Sequence, residues 1–560
     1  MKKKINLFLF LITILFTSNL VSNEIKNQIQ PEPSSKIQTE IIKKKFKKHV
    51  VVSANDYATK IGIQILRDGG NAIDATVAIQ LALGLVEPQS SGLGGGIFIT
   101  FHNSSNNKII SFEGREKAPR AINENIFLDL NNKPKKFFDA AIGGASVGVP
   151  GVVKTLFEFH KLYGVLPWKN LFDPVIQLAK KGIKPPNRLK NAIKKEKFVF
   201  KINPNIIYNE INNHPQKNFK NLDYAFTLEE IAQNHESFYS GEIAEKIVHS
   251  VNNSINPGEL SIDDLVNYKP EIQNSLCYQL KIGYKICGPN LPSSGTICII
   301  QALILLEEII ARNHFTNNKS LNLEKILEIL NFVYYFRDKN LADSKFVKID
   351  IKKILDKKFL KKEFNLFKKK NITHEFQEIN EILSSTSHFS VIDKNGNIVS
   401  ATSSIESSFG SRLFVDGFFL NNQLTDFSFR TIDKLGNKIF NKPEGEKRPL
   451  SSMSPLIIYD ENNNFYLTIG SPGGKAIISY ILRVLIDVLY LEKDIDQSIK
   501  SPNYIAINGK IFLENEKLNL KLKKKGKVRK LTSGLAIIQK KNDYYLGVAD
   551  NRRDGSVRGD

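Results

Sequence analysis

Residues 69–96 read GGNAIDATVAIQLALGLVEPQSSGLGGG, and no other stretch limits the fold as much. From Asn71 to Leu85 apolar residues cover most faces of a helix. A helix of that kind is buried, because a surface helix keeps a polar face. Such a helix requires a layered domain around it. Gly69 and Gly70 mark the turn before it, and Pro88 closes its far end. Ser90–Gly96 then forms a tight glycine turn into a short strand, Ile97–Phe101, followed by a second strand at Lys108–Phe112. The glycines lack the spacing of a phosphate cradle. They read as a place where backbones approach closely.

Val50 to Val86 reads as the start of the core. Ala145–Leu156 is another turn into a helix, and residues 157–330 alternate helical stretches with loops. Residues 320–370 read as helical and lysine-rich. After Glu381 the period changes to two. Ser387–Asp393 and Ile398–Ser403 flank Lys394–Asn397, whose Asn395-Gly396 pair is a strong hairpin signal. Leu456–Tyr459 and Phe465–Ile469 form another strand pair. Gly470–Gly474 (GSPGG) then turns into an apolar helix, Ala476–Leu491. Strands stacked against helices give an α+β or α/β layered sandwich. With 560 residues, the chain buries a large core without disulfide staples.

Residues 1–22 carry three lysines, an apolar run from Ile5 to Phe16, then small and polar residues, the pattern of a secretory signal peptide. The run is short of the ~20 apolar residues that span a bilayer. Cleavage is expected near Ser22, giving a periplasmic or secreted protein, and residues 23–48 read as a loose leader. The three cysteines, Cys277, Cys287 and Cys298, form no CxxC, and the histidines form neither HxH nor HExxH. A metal enzyme is therefore disfavoured and no cofactor is expected. Cys277 and Cys287 could pair, though spacing alone does not show it. The net charge of +22 invites a nucleic-acid reading. The lysines are spread along the chain, densest at 357–370 and 517–530, and no nucleic-acid motif accompanies them. No nucleic-acid partner is expected.

No GxSxG elbow and no Walker loop is present. What stands out is Ser384–Ser390 (SSTSHFS) at the start of a strand. A threonine there becomes a nucleophile if its own α-amine serves as base, which requires the chain to be cut before it. Its companions strengthen that reading. Gly473 and Gly474, before a helix, offer two backbone N–H groups to an oxyanion. Arg115, in FEGREKAP, can grip a carboxylate with its fork. Gln423 and Asp426 offer an amide and an anion to an ammonium group, and Ser451-Ser452 add hydroxyls. Together they describe a pocket for an amino-acid zwitterion beside an acyl-transfer centre.

From about residue 50 onward the sequence closely resembles the gamma-glutamyltransferase family, also called gamma-glutamyltranspeptidases or glutathione hydrolases. The motifs that carry it, in order, are residues 69–96, FEGREKAP (112–119), GGASVGVPG (143–151), LPSSGT (291–296), TSHFSVIDKNGN (386–397), TSSIESSFGS (402–411), LNNQLTDFS (420–428), KRPLSSMSP (447–455) and GSPGG. The resemblance implies an N-terminal nucleophile hydrolase, an α+β fold with a four-layer αββα sandwich. It implies a precursor that cuts itself between Ser385 and Thr386 into a large subunit, 23–385, and a small one, 386–560, which stay together as a heterodimer. Thr386 would attack the γ-carbonyl of glutathione or a related compound, and water or an amino-acid or peptide acceptor would resolve the ester. Gly473 and Gly474 would stabilise the oxyanion. Arg115, Ser451 and Ser452 would hold the α-carboxylate, and Glu406, Gln423 and Asp426 the α-ammonium. Ser404 matches a second hydroxyl position beside the nucleophile. Glu406 stands where many members have asparagine. Phe427–Glu446 falls where some members carry a lid, and its closure is left open. Two other readings stand beside this one: a related glutaryl or cephalosporin-type acylase, and a catalytically silent exported binding protein.

Overall fold

The structure is a computed structural model and describes residues 42–196, 198–312, 321–369, 384–433 and 436–560. The signal-peptide segment 1–22 lies outside these residues, as do Lys370 and Lys434.

Fourteen strands build two seven-stranded antiparallel sheets. They are β1 (Ile42–Phe46), β2 (Val50–Ser53), β3 (Gly96–Asn103), β4 (Lys108–Gly114), β5 (Glu271–Asn274), β6 (Leu276–Gln279), β7 (Lys285–Gly288), β8 (Ser384–Ile392), β9 (Ile398–Ser407), β10 (Leu456–Tyr459), β11 (Phe465–Gly470), β12 (Ala536–Lys541), β13 (Tyr544–Ala549) and β14 (Ser556–Gly559). The first sheet runs β14-β2-β8-β9-β3-β4-β5 and the second β1-β13-β12-β11-β10-β7-β6. The helices that matter here are α1 (Asp56–Arg67), α2 (Ala72–Val86), α3 (Val152–Tyr163), α4 (Asn187–Lys195), α5 (Gly295–Arg312), α6 (Leu323–Asn340), α7 (Lys357–Lys369) and α8 (Ile477–Leu485).

Three apolar seams define the layers. The first joins α1–α3 to the first sheet and contains Val51, Ile97, Phe389 and Val391. The second lies between the sheets and contains Val50, Val52, Ile392, Ile457 and Ile538. The third joins the second sheet to α5, α6 and α8 through residues such as Ile458, Leu467 and Ile537. The alternation Val50–Val51–Val52 crosses from one seam to the next because strand side chains alternate faces. Two sheets face each other with helices outside both, so the fold is the expected αββα sandwich. In β8 the odd residues, Phe389 and Val391, meet the helices. The even ones face the second sheet, where the Ser390 hydroxyl donates to the Ala536 carbonyl in β12 at 3.4 Å.

The helix read from residues 71–85 is α2, all of it buried. Asn71 and Asp74 form a capping box at its start. Asp393, in the β8–β9 turn, accepts from the Ala72 amide at 2.9 Å. The Asn-Gly hairpin is thereby tied to the buried helix, which fixes where β8 ends and β9 begins.

Several expectations are corrected. The leader is not loose throughout, because Ile42–Phe46 pairs with β13 along a sheet edge. Residues 271–288, read among helices and loops, are three strands. They are only four residues each, and the first two are only half-buried, so few apolar residues mark them. The apolar helix after GSPGG is regular only to Leu485 and widens into a π turn at Ile486–Tyr490. Cys277 and Cys287 lie opposite each other in β6 and β7 and are disulfide-bonded. Cys298 is buried, and burial pushes its thiol up to about 12.

Candidate active site

Thr386 lies near the start of β8, on the face turned toward the second sheet, in a continuous chain. It pairs across the ladder with Ser404 of β9, beside an irregularity between Ser384 and Thr386. Both side chains are buried. The Ser404 hydroxyl donates to the Ser385 carbonyl at 2.9 Å and lies 3.2 Å from the Thr386 hydroxyl. It also accepts from the Glu406 amide at 2.9 Å. A serine has one O–H, and a carbonyl cannot donate. The Ser404 proton therefore goes to the Ser385 carbonyl, and the Thr386 O–H must donate to Ser404. One hydroxyl thus polarises the carbonyl of the Ser385–Thr386 peptide and orients the threonine oxygen beside it.

The residues flanking Thr386 are held from the opposite face. The Ser385 hydroxyl donates to Ser90 and that of Ser387 to Glu87, both at 2.8 Å. Glu87 also receives Arg188 of α4 at 2.8 Å. Burial raises the Glu87 carboxyl, and the cation and hydroxyl oppose that shift. The Thr386 carbonyl accepts from Arg553 at 3.1 Å. None of Glu87, Ser90 and Arg553 stands out in the sequence as part of a site. Their only signal is a polar residue inside an apolar or turn segment, and such residues usually cap helices.

Arg553 leads to the glycine turn. Its stem and Pro472 both pack where a side chain on Gly534 would lie. Gly473 has φ +130°, outside the range comfortable for side chains, and Gly474 begins the short helical turn that leads into α8. This turn packs against β8. Gly470, at its base, leaves room for the His388 ring, which is held by Thr402 at 2.8 Å and pushed down to about 3 by burial. His388 is therefore neutral at physiological pH.

The zwitterion residues converge, but they pair with one another. Arg115 donates to Asp426 at 2.6 Å, to the Pro449 carbonyl at 3.0 Å and to the Leu450 carbonyl at 3.1 Å. Gln423 donates to the same Asp426 oxygen at 2.7 Å. Glu406, at a strained φ of +76°, accepts from Asn422 at 2.7 Å. Burial and the nearby Asp426 charge raise its carboxyl well above the usual range. Ser451 Oγ accepts from the Met453 amide at 3.1 Å, while Ser452 Oγ is buried and unpartnered. Gln423 Oε1 is likewise unpartnered. Unsatisfied buried polar atoms are uncommon in native proteins, and two of them line this one pocket.

Glu116 is the clearest omission from the sequence reading. Gly96 pairs with Ser404, which pairs with Thr386, so the three form one cross-strand row. A Cβ on Gly96 would lie 2.3 Å from Glu116 Oε2. The Glu116 carboxyl therefore occupies the side-chain place of Gly96, on the same face as Thr386. Arg115 Nη1 is 3.7 Å away. Burial pushes Glu116 up to about 8, against the pull of Arg115. Next to Arg115 it had read as part of a polar loop.

The segment after Asp426 folds back as a hydrogen-bonded loop, with Ser428 donating to the Asn441 carbonyl and Ile439 to that of Thr431. Phe429 stacks on Phe127 at 4.5 Å, and Lys442 pairs with Glu124. Asn441 donates to the Asp426 carbonyl at 2.8 Å, so the loop is anchored to the pocket wall.

Two sheets between helical layers, with a threonine at the start of a central strand and its hydroxyl between the sheets, define the class of N-terminal nucleophile hydrolases. The gamma-glutamyltranspeptidase family model matches residues 58–559. A glutathione hydrolase proenzyme of Bacillus subtilis is 30% identical over 547 residues, covering 91% of each chain. The gamma-glutamyltranspeptidase of Helicobacter pylori is 29% identical with a TM-score of 0.51, over 56% of this chain and 90% of that one. A cephalosporin acylase of Bacillus halodurans shares the fold, with a TM-score of 0.76 at 21% identity, over 94% of this chain and 97% of that one. The chain belongs to the gamma-glutamyltranspeptidase family, and it shares that family's enzyme class of gamma-glutamyl transfer and hydrolysis.

Proposed function

We propose that the protein is an exported γ-glutamyl hydrolase and transpeptidase that acts on glutathione and related compounds after cutting itself before Thr386. The observation that carries this reading is the Ser404 hydroxyl shared between the Ser385 carbonyl and the Thr386 hydroxyl. In the precursor, Thr386 Oγ attacks the Ser385 carbonyl, the peptide shifts to an ester, and water releases residues 23–385 from 386–560. The freed α-amine of Thr386 then serves as general base.

In the mature enzyme Thr386 Oγ attacks the γ-carbonyl, and the amine departs with the proton taken from the threonine. The Gly473 and Gly474 amides receive the negative charge of the tetrahedral intermediate. Water or an acceptor amine resolves the γ-glutamyl ester. Arg115, Ser451 and Ser452 hold the α-carboxylate, while Glu406, Gln423 and Asp426 hold the α-ammonium. Because Arg115 and Asp426 pair with each other, a zwitterion replaces one internal ion pair with two at its own ends. A glutaryl group, with no ammonium, would leave Asp426 without a replacement partner. That difference favours γ-glutamyl over glutaryl substrates.

Intact-mass spectrometry beside a Thr386→Ala variant tests the proposal. Two wild-type chains, the smaller beginning at Thr386, with an uncut variant and release of product from a γ-glutamyl anilide, are expected. A folded wild-type chain that stays whole after long incubation would refute the nucleophile assignment. Export is checked by the new N-terminus of the large chain, expected near residue 23.

A further inference from the structure

The lysine run at 517–530 takes no part in the site. It reads KLNLKLKKKGKVRK, eight cations and no acid in fourteen residues. It covers the outer side of a small sheet formed by Tyr504–Ile507, Lys510–Leu513 and Lys527–Val528. Lys517, Lys521, Lys523, Lys524, Lys525, Lys527 and Lys530 are all exposed.

The run is set apart by its density, with cations at eight of its fourteen positions. Some surface lysines elsewhere are matched with acids, as in Lys43–Asp496, Lys246–Glu242 and Lys345–Glu271. Among the described residues, none of these seven forms an ion pair; Lys524 and Lys525 reach only backbone carbonyls. Beside the run, Glu514 holds Arg552, Glu516 accepts from Asn519, and Glu324 accepts from the Lys523 amide at 2.6 Å. Lys530 also lies close enough to Lys195 of α4 to help burial push that ammonium down. The cations outnumber these acids, and a bound anion relieves the repulsion among them.

Two further features narrow the partner. Leu520 is 75% exposed and Val528 39%, both between lysines. A second lysine-rich element, α7, also packs on α6. On one side the Asn331 side chain of α6 accepts from the Gly509 amide at 3.0 Å. On the other, Phe332 of α6 packs against Phe364 and Phe367 of α7. α7 adds exposed Lys358, Lys361, Lys362, Lys368 and Lys369, with Leu366 exposed beside them. An exposed cationic run with protruding aliphatic side chains and no aromatic ring suits a lipid interface. Single-stranded nucleic acid would want stacking rings.

We propose that this face docks the protein onto a bilayer bearing anionic phospholipid, with the 517–530 lysines on the phosphates and Leu520 entering the headgroup layer. No helix among the described residues is long and apolar enough to cross a membrane, so this is attachment from one side. The assignment is independent of the peptidase-like chemistry described above.

Co-sedimentation of the full chain with vesicles tests it. Binding is expected to phosphatidylglycerol–phosphatidylcholine vesicles at about 0.1 M salt, where charges interact over about 10 Å, and release at high salt. Pure phosphatidylcholine vesicles should bind weakly, which also controls for the apolar N-terminus. Replacing Lys521, Lys523, Lys524 and Lys525 with glutamine should weaken binding about fivefold for each lysine that reaches the surface. Leu520→Gln should weaken it further in a salt-insensitive way. γ-Glutamyl anilide hydrolysis should be unchanged in both variants and reports that they fold. Equal binding to both vesicle types, no binding to either, or wild-type binding by the quadruple variant would each overturn the proposal. So would tighter binding to polyuridine RNA than to the anionic vesicles.

Discussion

Replacing Ser404 with alanine isolates the step on which the proposed function rests. The substitution removes one O–H but leaves the β8–β9 ladder in place. The Ser385 carbonyl loses the donor at 2.9 Å, the Thr386 hydroxyl its acceptor at 3.2 Å, and the Glu406 amide its acceptor at 2.9 Å. As the threonine oxygen attacks, charge develops on the Ser385 oxygen. The lost donor bonds that oxygen, and its bond strengthens in the transition state. Removing one such donor typically slows a reaction about 100–1,000-fold, or roughly 3–4 kcal/mol of barrier. Leaving the Glu406 amide unsatisfied costs a further 1–3 kcal/mol of stability, roughly. The assay is a time course of intact mass on freshly purified precursor, with circular dichroism to confirm folding. Ser404→Ala should stay mostly whole while the wild type is cut, and Ser404→Thr should recover most of the rate. The reasoning fails if folded Ser404→Ala cuts at the wild-type rate. It fails equally if threonine restores nothing.

Two other outcomes follow from the site. Gly473→Ala places a methyl 2.7 Å from the Tyr480 ring at φ +130°, so the turn must shift. Anilide hydrolysis should fall by at least about 100-fold with little change in KM, because the lost donors act on the transition state. Glu116 gives a pH signature. Its carboxyl is held neutral up to about pH 8, so as pH rises through 8 it ionises and competes with the substrate carboxylate for Arg115 Nη1. KM should rise above that pH, and Glu116→Gln should abolish the rise; a parallel rise in the variant would sink the assignment. Because Glu116 takes up its proton more readily folded than unfolded, its contribution to stability declines from about pH 4.5 to about pH 8. Chemical denaturation across that range should show a flatter profile for Glu116→Gln.

The sequence alone determined a good deal. The buried helix at 72–86, the hairpin around Asn395-Gly396 and the GSPGG turn are local features. Each depends on a few neighbouring residues whose conformational preferences agree. Thr386, Arg115 and the paired glycines could be put forward from the sequence because each lies in a contiguous motif. What only the tertiary structure decided depends on residues far apart in the chain. Glu116 enters the site because Gly96, in a strand far from Thr386 in the chain, leaves a gap one ladder step from Ser404. Glu87, Ser90 and Arg553 hold Thr386 and its two neighbours from segments that nothing in their local pattern connects to it. Arg115 and Asp426, read as separate grips on a substrate, proved to hold each other. Burial explains the difference. A propensity or a turn is written along the chain, whereas the removal of water that raises a carboxyl or forces two charges together exists only once the layers have closed.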